Sequence, residues 1–314
     1  MIQQNNKSKM LGVVTLYNPK QEEAIANIKK YLYNLDALII WDNSPLEKHL
    51  KASILNNLSE AKDRVVWKGD GKNHCIAPAI NYALNYAITN HYDLVLIMDE
   101  DSSWIDFRAY RKDVEELFIS KGIAVFTPYV EGCDIFPITN DYQKKKLFIN
   151  SGTIIPSALL SHIGSIDEDA FPLDALDHDI ALSVTALGVP IVCLTKHKMI
   201  HSIGQPQRLG IFHLFTPNYN RFRTYNITRS HTICYRKHKP LFDKELKKYY
   251  FYEILFLKFV RIILAEPDKY GRMKSFIKGL YDGIRYKIIK NEQETFHCNS
   301  SSHLQWGRTS QRTD

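Results

Sequence analysis

The sequence predicts an α/β fold, a mostly parallel sheet flanked by helices, with a helical appendage at its C-terminal end. Three observations carry this. Short β-branched runs alternate with segments of helical periodicity from Met10 to about Asn90, the pattern of strand–helix–strand crossovers. The run Asp93-Leu94-Val95-Leu96-Ile97-Met98-Asp99-Glu100-Asp101-Ser102 holds five apolar residues between charges, too short for a helix, and reads as an interior strand ending in three carboxylates. Beyond residue 236 the strand signals stop, and two apolar stripes remain at 249–264 and 273–288.

Taken in order, Met10–Leu16 is a first strand, and Ala24, Ile28, Leu32 and Leu35 mark a helix after Tyr17-Asn18-Pro19. Ala37–Trp41 is a second strand, ending in Asp42-Asn43-Ser44-Pro45, and Arg64–Trp67 a third. Helices at about Leu46–Leu58 and Ile76–Asn90 cover the sheet. Gly122–Thr127 is a further strand, followed by a long loop from Pro128 to Lys145 of the kind that carries function. Phe171–Leu182 opens a helix, Pro190–Leu194 and Met199–Gly204 are two short strands, and Arg221–Lys239 is strongly basic.

Composition bounds the function. With 314 residues and 45% hydrophobic content, the chain builds one large domain with an appendage, and no collagenous, coiled-coil or repeat pattern appears. Cys75, Cys133, Cys193, Cys234 and Cys298 are scattered and lack CxxC spacing, so neither a disulfide framework nor a zinc site is expected, and a reducing cytoplasm suits them. Met1–Lys9 is polar, and no export signal is expected there. The net charge of +7 is uneven: residues 236–290 hold 15 Lys/Arg against 6 Asp/Glu, and the rest of the chain 26 against 28. The basic character therefore belongs to the C-terminal region, where it can face an anionic membrane or nucleic acid.

Chemistry concentrates at the strand ends, because open α/β sheets bind ligands beyond the carboxyl ends of their strands. Asp99 and Asp101 fall on one side of an extended chain and Glu100 on the other, so the pair can hold Mg²⁺ or Mn²⁺ against a diphosphate; a solvated strand-to-loop junction is the alternative. Asp42 could accept the imino N–H of a uracil or thymine, and it is equally good turn chemistry before Asn-Ser-Pro. Asp174, Asp177 and Asp179 gather at a helix start, where capping and the helix dipole explain one or two acids but not easily three. Arg223 and Arg229 are six apart and need not share a face; one suits bidentate contact with diphosphate oxygens, and a solvated basic face is the alternative.

The order Val-Val-Thr-Leu-Tyr-Asn-Pro, Trp-Asp-Asn-Ser, Lys72-Asn73-His74-Cys75-Ile76-Ala77-Pro78-Ala79-Ile80-Asn81 and Met98-Asp99-Glu100-Asp101-Ser102 resembles the family 2 glycosyltransferases of GT-A fold, and within them the bacterial rhamnosyltransferase branch. That branch has Asn-x-Gly-Ile-Ala-x-Ala-x-Asn and Asp-Gln-Asp-Ser motifs; here Cys75 replaces the glycine and Glu100 the glutamine. The resemblance covers about Leu11 to Lys290. It implies donor contacts from Thr15, Tyr17, Asn18, Asp42, Asn73, Asn81, Asp99, Arg223 and Arg229, and metal contacts from Asp99, Asp101 and His201, the last in a His-Ser-x-Gly context. It implies an Asn150-Ser151-Gly152 turn beneath the donor sugar, and Asp177 as the general base, with Asp179 the second acid of that motif and Asp174 beside it. Arg223-Thr224-Tyr225-Asn226-Ile227-Thr228-Arg229-Ser230 resembles the branch's Arg-x-Tyr-Tyr-x-x-Arg-Asn, with Asn226 and Ser230 as departures.

The resemblance thus implies a GT-A catalytic domain over 1–235, with a nucleotide-sugar half at about 10–105 and an acceptor half at about 120–235. A basic amphipathic helical region at 236–290 and a disordered polar tail at 291–314 follow. The expected activity is inverting, metal-dependent transfer of L-rhamnose from dTDP-L-rhamnose, or of another dTDP or UDP sugar, to a hydroxyl of a glycan or lipid-linked acceptor. The expected partners are that donor and acceptor, an anionic membrane surface and a second copy of the chain, with no nucleic acid; the expected place is the cytoplasm, peripheral on the inner face of the membrane. Two alternatives stay open: a phosphoryl-transfer enzyme with Asp99 as nucleophile, and a nucleotide-sugar-binding protein without turnover.

Overall fold

The computed structural model describes residues 8–131, 140–201, 207–209 and 213–288. Residues 132–139 of the expected 128–145 loop, the Ser-x-Gly after His201 and the 291–314 tail lie outside the described residues. The first half alternates as expected: β1 (Met10–Leu16), α1 (Gln21–Leu32), β2 (Ala37–Asp42), α2 (Lys51–Asn57), β3 (Val65–Lys68), α3 (Ala77–Thr89) and β4 (Leu94–Asp99). β1 lies parallel between β2 and β4, with Leu16 opposite Asp42 and Thr15 opposite Asp99, so three strands end at one level. Alternation sends Leu11, Val13, Val95 and Ile97 into a core with α3, and Met10, Val14, Leu96 and Met98 into a second core with α1. Both faces of these strands are buried, which is why they read as continuous apolar runs.

The second half holds β5 (Ser102–Trp104), α4 (Phe107–Lys121), β6 (Val125–Glu131), β7 (Tyr142–Lys145), β8 (Ile154–Pro156), α5 (Leu160–Ile163), α6 (Leu176–Ala186) and β9 (Ile191–His201). The sheet runs β3-β2-β1-β4-β8-β6-β9, with β7 and β5 sharing the outer edge of β9. β8 is antiparallel to both neighbours, so the sheet is parallel across β3 to β4 and mixed beyond. Residues 142–145, expected within a loop, form an edge strand. The two strands expected at 190–194 and 199–204 are one, because a register shift between Pro128 and Tyr129 lets β6 follow β9 along its whole length. That continuity carries His201 back to Ser102.

The C-terminal region follows: a β10 (Gln207–Leu209) and β11 (Leu214–Thr216) hairpin, α7 (Arg221–Lys237), α8 (Lys244–Lys248), wide π-type turns over Tyr249–Leu257, α9 (Lys258–Leu264) and α10 (Lys269–Arg285). α10 lies along α7, and its glycines permit the approach: a Cβ at Gly279 would stand 2.6 Å from the Tyr225 carbonyl oxygen, and one at Gly283 2.8 Å from Thr232 Cβ. Tyr225 donates to Asp282, and Arg236 donates to the carbonyls of Gly283 and Tyr286. The wide turns change which face is which. Glu253, Lys258 and Arg261, the only charges between 249 and 264, are buried or half-buried, while Phe251, Tyr252, Phe256, Phe259 and Ile263 are exposed. Among the described residues no helix is long and apolar enough to cross a membrane.

Gly279→Leu should force α7 and α10 apart. Overpacking of this kind costs roughly 1–3 kcal/mol, so the thermal midpoint followed by circular dichroism should drop by several degrees; an unchanged midpoint would mean the helices are not in this close contact.

Candidate active site

A cleft of about 540 Å³ opens at the carboxyl ends of the parallel strands. Thr15 and Tyr17 from the end of β1, and Asn73 and Cys75 from the loop before α3, line one side. Asp99, Glu100, Asp101 and His201 form the floor, and Arg223 on the first turn of α7 faces them. The loop ahead of α6 closes this wall onto α3, with the Pro172 carbonyl accepting from the N–H groups of Ile76 and Ala77.

Ligand atoms of Asp99, Asp101 and His201 all lie within 4.8 Å of one another. Asp101 Oδ1 is buried without a hydrogen-bond partner, 3.3 Å from His201 Nδ1. A hydrogen-bond chain fixes the three elements: Asp99 N–H donates to Ser151 Oγ (3.1 Å), Ser151 donates to Ser102 Oγ (2.6 Å), and Ser102 Oγ shares a hydrogen bond with His201 Nδ1 (2.7 Å). The Asn150-Ser151-Gly152 turn thus orients the floor, and Gly152, at φ +80°, makes the left-handed turn that returns its N–H to the Ile97 carbonyl. Two carboxylates and an imidazole, one oxygen of them unpartnered, fit a divalent cation such as Mg²⁺ or Mn²⁺.

Burial pushes Asp99 up to about 6; His201 and Arg223 draw it down, and the Asp101 and Asp177 charges raise it further. Burial also raises Glu100, to about 7, although it accepts the Tyr17 N–H at 2.7 Å. Glutamic acid in place of glutamine therefore adds only part of a charge beside the floor at neutral pH. For His201, burial lowers the pKa, but the Asp101 and Asp99 carboxylates outweigh it and the net shift is upward. Cys75 has φ +62°, the left-handed region that a glycine enters freely, and is held there by the Asn73 side chain, which accepts its N–H at 2.8 Å. Burial, then the Asp174 charge, raises its thiol pKa, so it is no nucleophile.

Across the floor, Asp174 Oδ1 lies 3.4 Å from Arg223 Nε, and the guanidinium stacks 4.5 Å over the Tyr219 ring. Burial raises Asp174 to about 6 against the pull of Arg223. Asp177 is half-buried, accepts the N–H of His178, and its charge acts on Asp99, Asp174 and Tyr249, which places it between the strand-end acids and the C-terminal helices. Asp179 is different: it is 4% exposed and held by Lys237 at 2.8 Å and His238 at 2.7 Å, a buried clamp between α6 and α7.

Four residues expected at the donor do not line the cleft, and each makes a hydrogen bond within the protein. Asp42, 2% exposed, accepts the Ser44 N–H, the turn chemistry that its sequence context also allows. The Asn18 N–H donates to Ser44 Oγ, and Asn18 does not line the cleft. Asn81 both donates to the Ile166 carbonyl and accepts the Ile166 N–H, clamping a distant loop. Arg229 donates to the Asp169 carbonyl and stacks on Tyr286. Conversely, the cleft uses Asn43 and Tyr219, which sequence reasoning passed over. Alternation was the signal for Asn43: with Asp42 turned inward, its neighbour must face out. It holds the wall loop by donating to the Cys75 carbonyl and accepting the His74 N–H.

This sheet, with acids at the end of its fourth strand and a basic helix opposite, is the fold of the GT-A glycosyltransferases. No protein-family model matches the chain. The dTDP-rhamnosyl transferase RfbF of Shigella flexneri is 23% identical over 298 residues, 88% of this chain and 96% of that protein. Among solved structures, S. aureus TarS 1-349 superposes with a TM-score of 0.57 at 12% identity, over 88% of this chain and 81% of its own. The mannosyltransferase PcManGT from Pyrobaculum calidifontis, in complex with GDP-Man and Mn²⁺, reaches 0.55 at 10% identity, over 90% and 77%.

Protons and a cation compete for Asp99. Mn²⁺ affinity measured by calorimetry should therefore fall about tenfold per pH unit below about 6 and level off above neutrality; a flat profile from pH 5 to 7.5 would exclude Asp99 as a ligand. Stability of the metal-free protein should move the other way. Asp99 and Asp174 hold their protons to about 6 when folded but release them near 3.8 when unfolded, so this part of the stability is present below about 4 and lost as pH rises through 6.

Proposed function

We propose that the chain is an inverting, metal-dependent glycosyltransferase of the family 2 kind. It would move L-rhamnose from dTDP-L-rhamnose to a hydroxyl of a cell-surface polysaccharide or lipid-linked glycan precursor. The observation that carries this reading is the meeting of Asp99, Asp101 and His201 on the floor of a cleft whose opposite wall presents Arg223, with the Asp177 carboxylate near enough for its charge to act on Asp99. The likeness to a dTDP-rhamnosyl transferase supports the donor, and neighbours solved with GDP-Man and Mn²⁺ or with UDP-GlcNAc support a nucleotide sugar in this cleft.

Asp99, Asp101 and His201 would hold Mg²⁺ or Mn²⁺, which when bound neutralises charge developing on the leaving diphosphate. Arg223, kept in place by Asp174 and Tyr219, offers its guanidinium to the same diphosphate. Thr15, Tyr17 and Asn73 line the side of the cleft where the nucleoside would lie. Asp177 takes the acceptor's proton as that oxygen attacks the anomeric carbon from the face opposite the diphosphate. One displacement inverts the centre without a covalent enzyme intermediate. Asp179 is left with a scaffolding role, since Lys237 and His238 already occupy both its oxygens.

Asp101→Asn should remove metal-dependent dTDP binding without unfolding the chain. Asp177→Asn should lower kcat about 10²–10⁴-fold while the dTDP dissociation constant stays near normal. Near-normal turnover in Asp177→Asn would assign the base to another carboxylate.

The reading extends to an anionic membrane surface. Phe251, Tyr252, Phe256 and Phe259 are exposed in a region that also exposes Lys247, Lys248, Lys274 and Lys287. Binding to vesicles containing anionic lipid should weaken as salt rises, since screening shortens the reach of exposed charges to about 8 Å at physiological ionic strength. Salt-independent binding, or none, would rule out this electrostatic contact.

A further inference from the structure

The charges turned inward by the wide turns line a second cavity of about 260 Å³, beyond the Arg223–Asp174 pair and sharing Tyr219 with the cleft. Its walls include Asp174, Glu253, Ile254, Lys258 and Arg261. Two wall atoms lack partners: Asp174 Oδ2 and Lys258 Nζ are buried with no hydrogen bond, on residues 9% and 5% exposed. Lys258 has Glu266 at 3.7 Å and the Tyr219 ring 5.1 Å beneath it, but neither takes a hydrogen from its ammonium. A buried carboxylate oxygen needs a donor and a buried ammonium an acceptor, and leaving both unmet is unfavourable unless a ligand supplies them.

A hydroxyl supplies either. The cavity balances two carboxylates, Asp174 and Glu253, against two cations, Lys258 and Arg261, so a phosphate would gain little while a neutral polyol is repelled by none of them. Its volume lies at the lower edge of the roughly 300–1,000 Å³ that encloses drug-sized ligands, which suits one sugar ring rather than an oligosaccharide. We propose that this cavity is a subsite for a sugar ring of the acceptor, whose hydroxyls donate to Asp174 Oδ2 and accept from Lys258 Nζ. The proposal rests on the glycosyltransferase reading and gives the C-terminal helices part of acceptor recognition, which the sequence places within 120–235. Two of its walls, Asp174 and Tyr249, both feel the charge of Asp177, the proposed base.

The test is saturation-transfer NMR on the full chain with millimolar methyl glycosides of common hexoses, with and without dTDP and Mg²⁺. At least one glycoside should give transfer signals. Lys258→Met, which leaves Glu266 paired to Arg272 and Thr216, and Ile254→Trp, which fills the cavity, should each weaken them about tenfold while dTDP binding is unchanged. If Lys258→Met does not fold, Ile254→Trp decides. Signals that persist in Ile254→Trp, no glycoside signal at all, or displacement of the glycoside by inorganic phosphate would overturn the subsite. Loss of dTDP binding to the wild type would instead overturn the donor reading, and the glycoside arm read without dTDP keeps the two apart.

Discussion

The cleft exists because β1 is held in parallel register between β2 and β4, so that Leu16 faces Asp42 and Thr15 faces Asp99. A one-residue slip of β4 would send Asp99 to the opposite face and bury Glu100 in its place. The slip is resisted by five apolar side chains, since every residue from Leu94 to Met98 is buried in one of the two cores. Acids placed at the end of so rigid a strand cannot relax away from one another. Their mutual repulsion and burial keep Asp99 and Glu100 unusually ready to hold protons, and the same crowding is relieved by a cation.

The opposite wall solves the inverse problem. Arg223 is fixed from two sides, by the Asp174 carboxylate and by the Tyr219 ring, and so presents its charge to the floor without wandering. Asp179 shows what happens to an acid three elements deep in the packing: it is taken up completely by Lys237 and His238 and ties the start of α6 to the end of α7. Three helix-start acids thus divide into an arginine holder, a half-buried carboxylate whose charge acts on Asp99, and a clamp.

The parallel half of the fold was legible because its strands announce themselves as apolar runs punctuated by turns, and β1 begins and ends where the pattern says. The grouping of Asp99 and Asp101 was legible for the same reason, since both lie at a strand end. What was not legible came from pairings distant in sequence. Nothing near Tyr142 says that it will join β9, and nothing near Asn81 says that Ile166 will claim its amide. Asp42 meets Ser44 through a local turn that the sequence shows, whereas the stacking of Arg229 on Tyr286 joins residues far apart in the chain. The inward charges near residue 253 were hidden because a projection at ordinary helical pitch misassigns the faces of wide turns. The left-handed backbone at Cys75, by contrast, is one that the glycine of the resembled motif would enter freely.

Gly279 and Gly283 let α10 approach the α7 backbone closely, and the Tyr225–Asp282 and Arg236 hydrogen bonds fasten the seam from within. A seam of that kind makes few demands on what surrounds it. Residues 249–264 can therefore diverge in size and charge while α10 continues to dock, and α7 continues to deliver Arg223 to the cleft. Evolution can exchange that stretch like a cassette, altering the wall behind Asp174 without disturbing the acids at the end of β4.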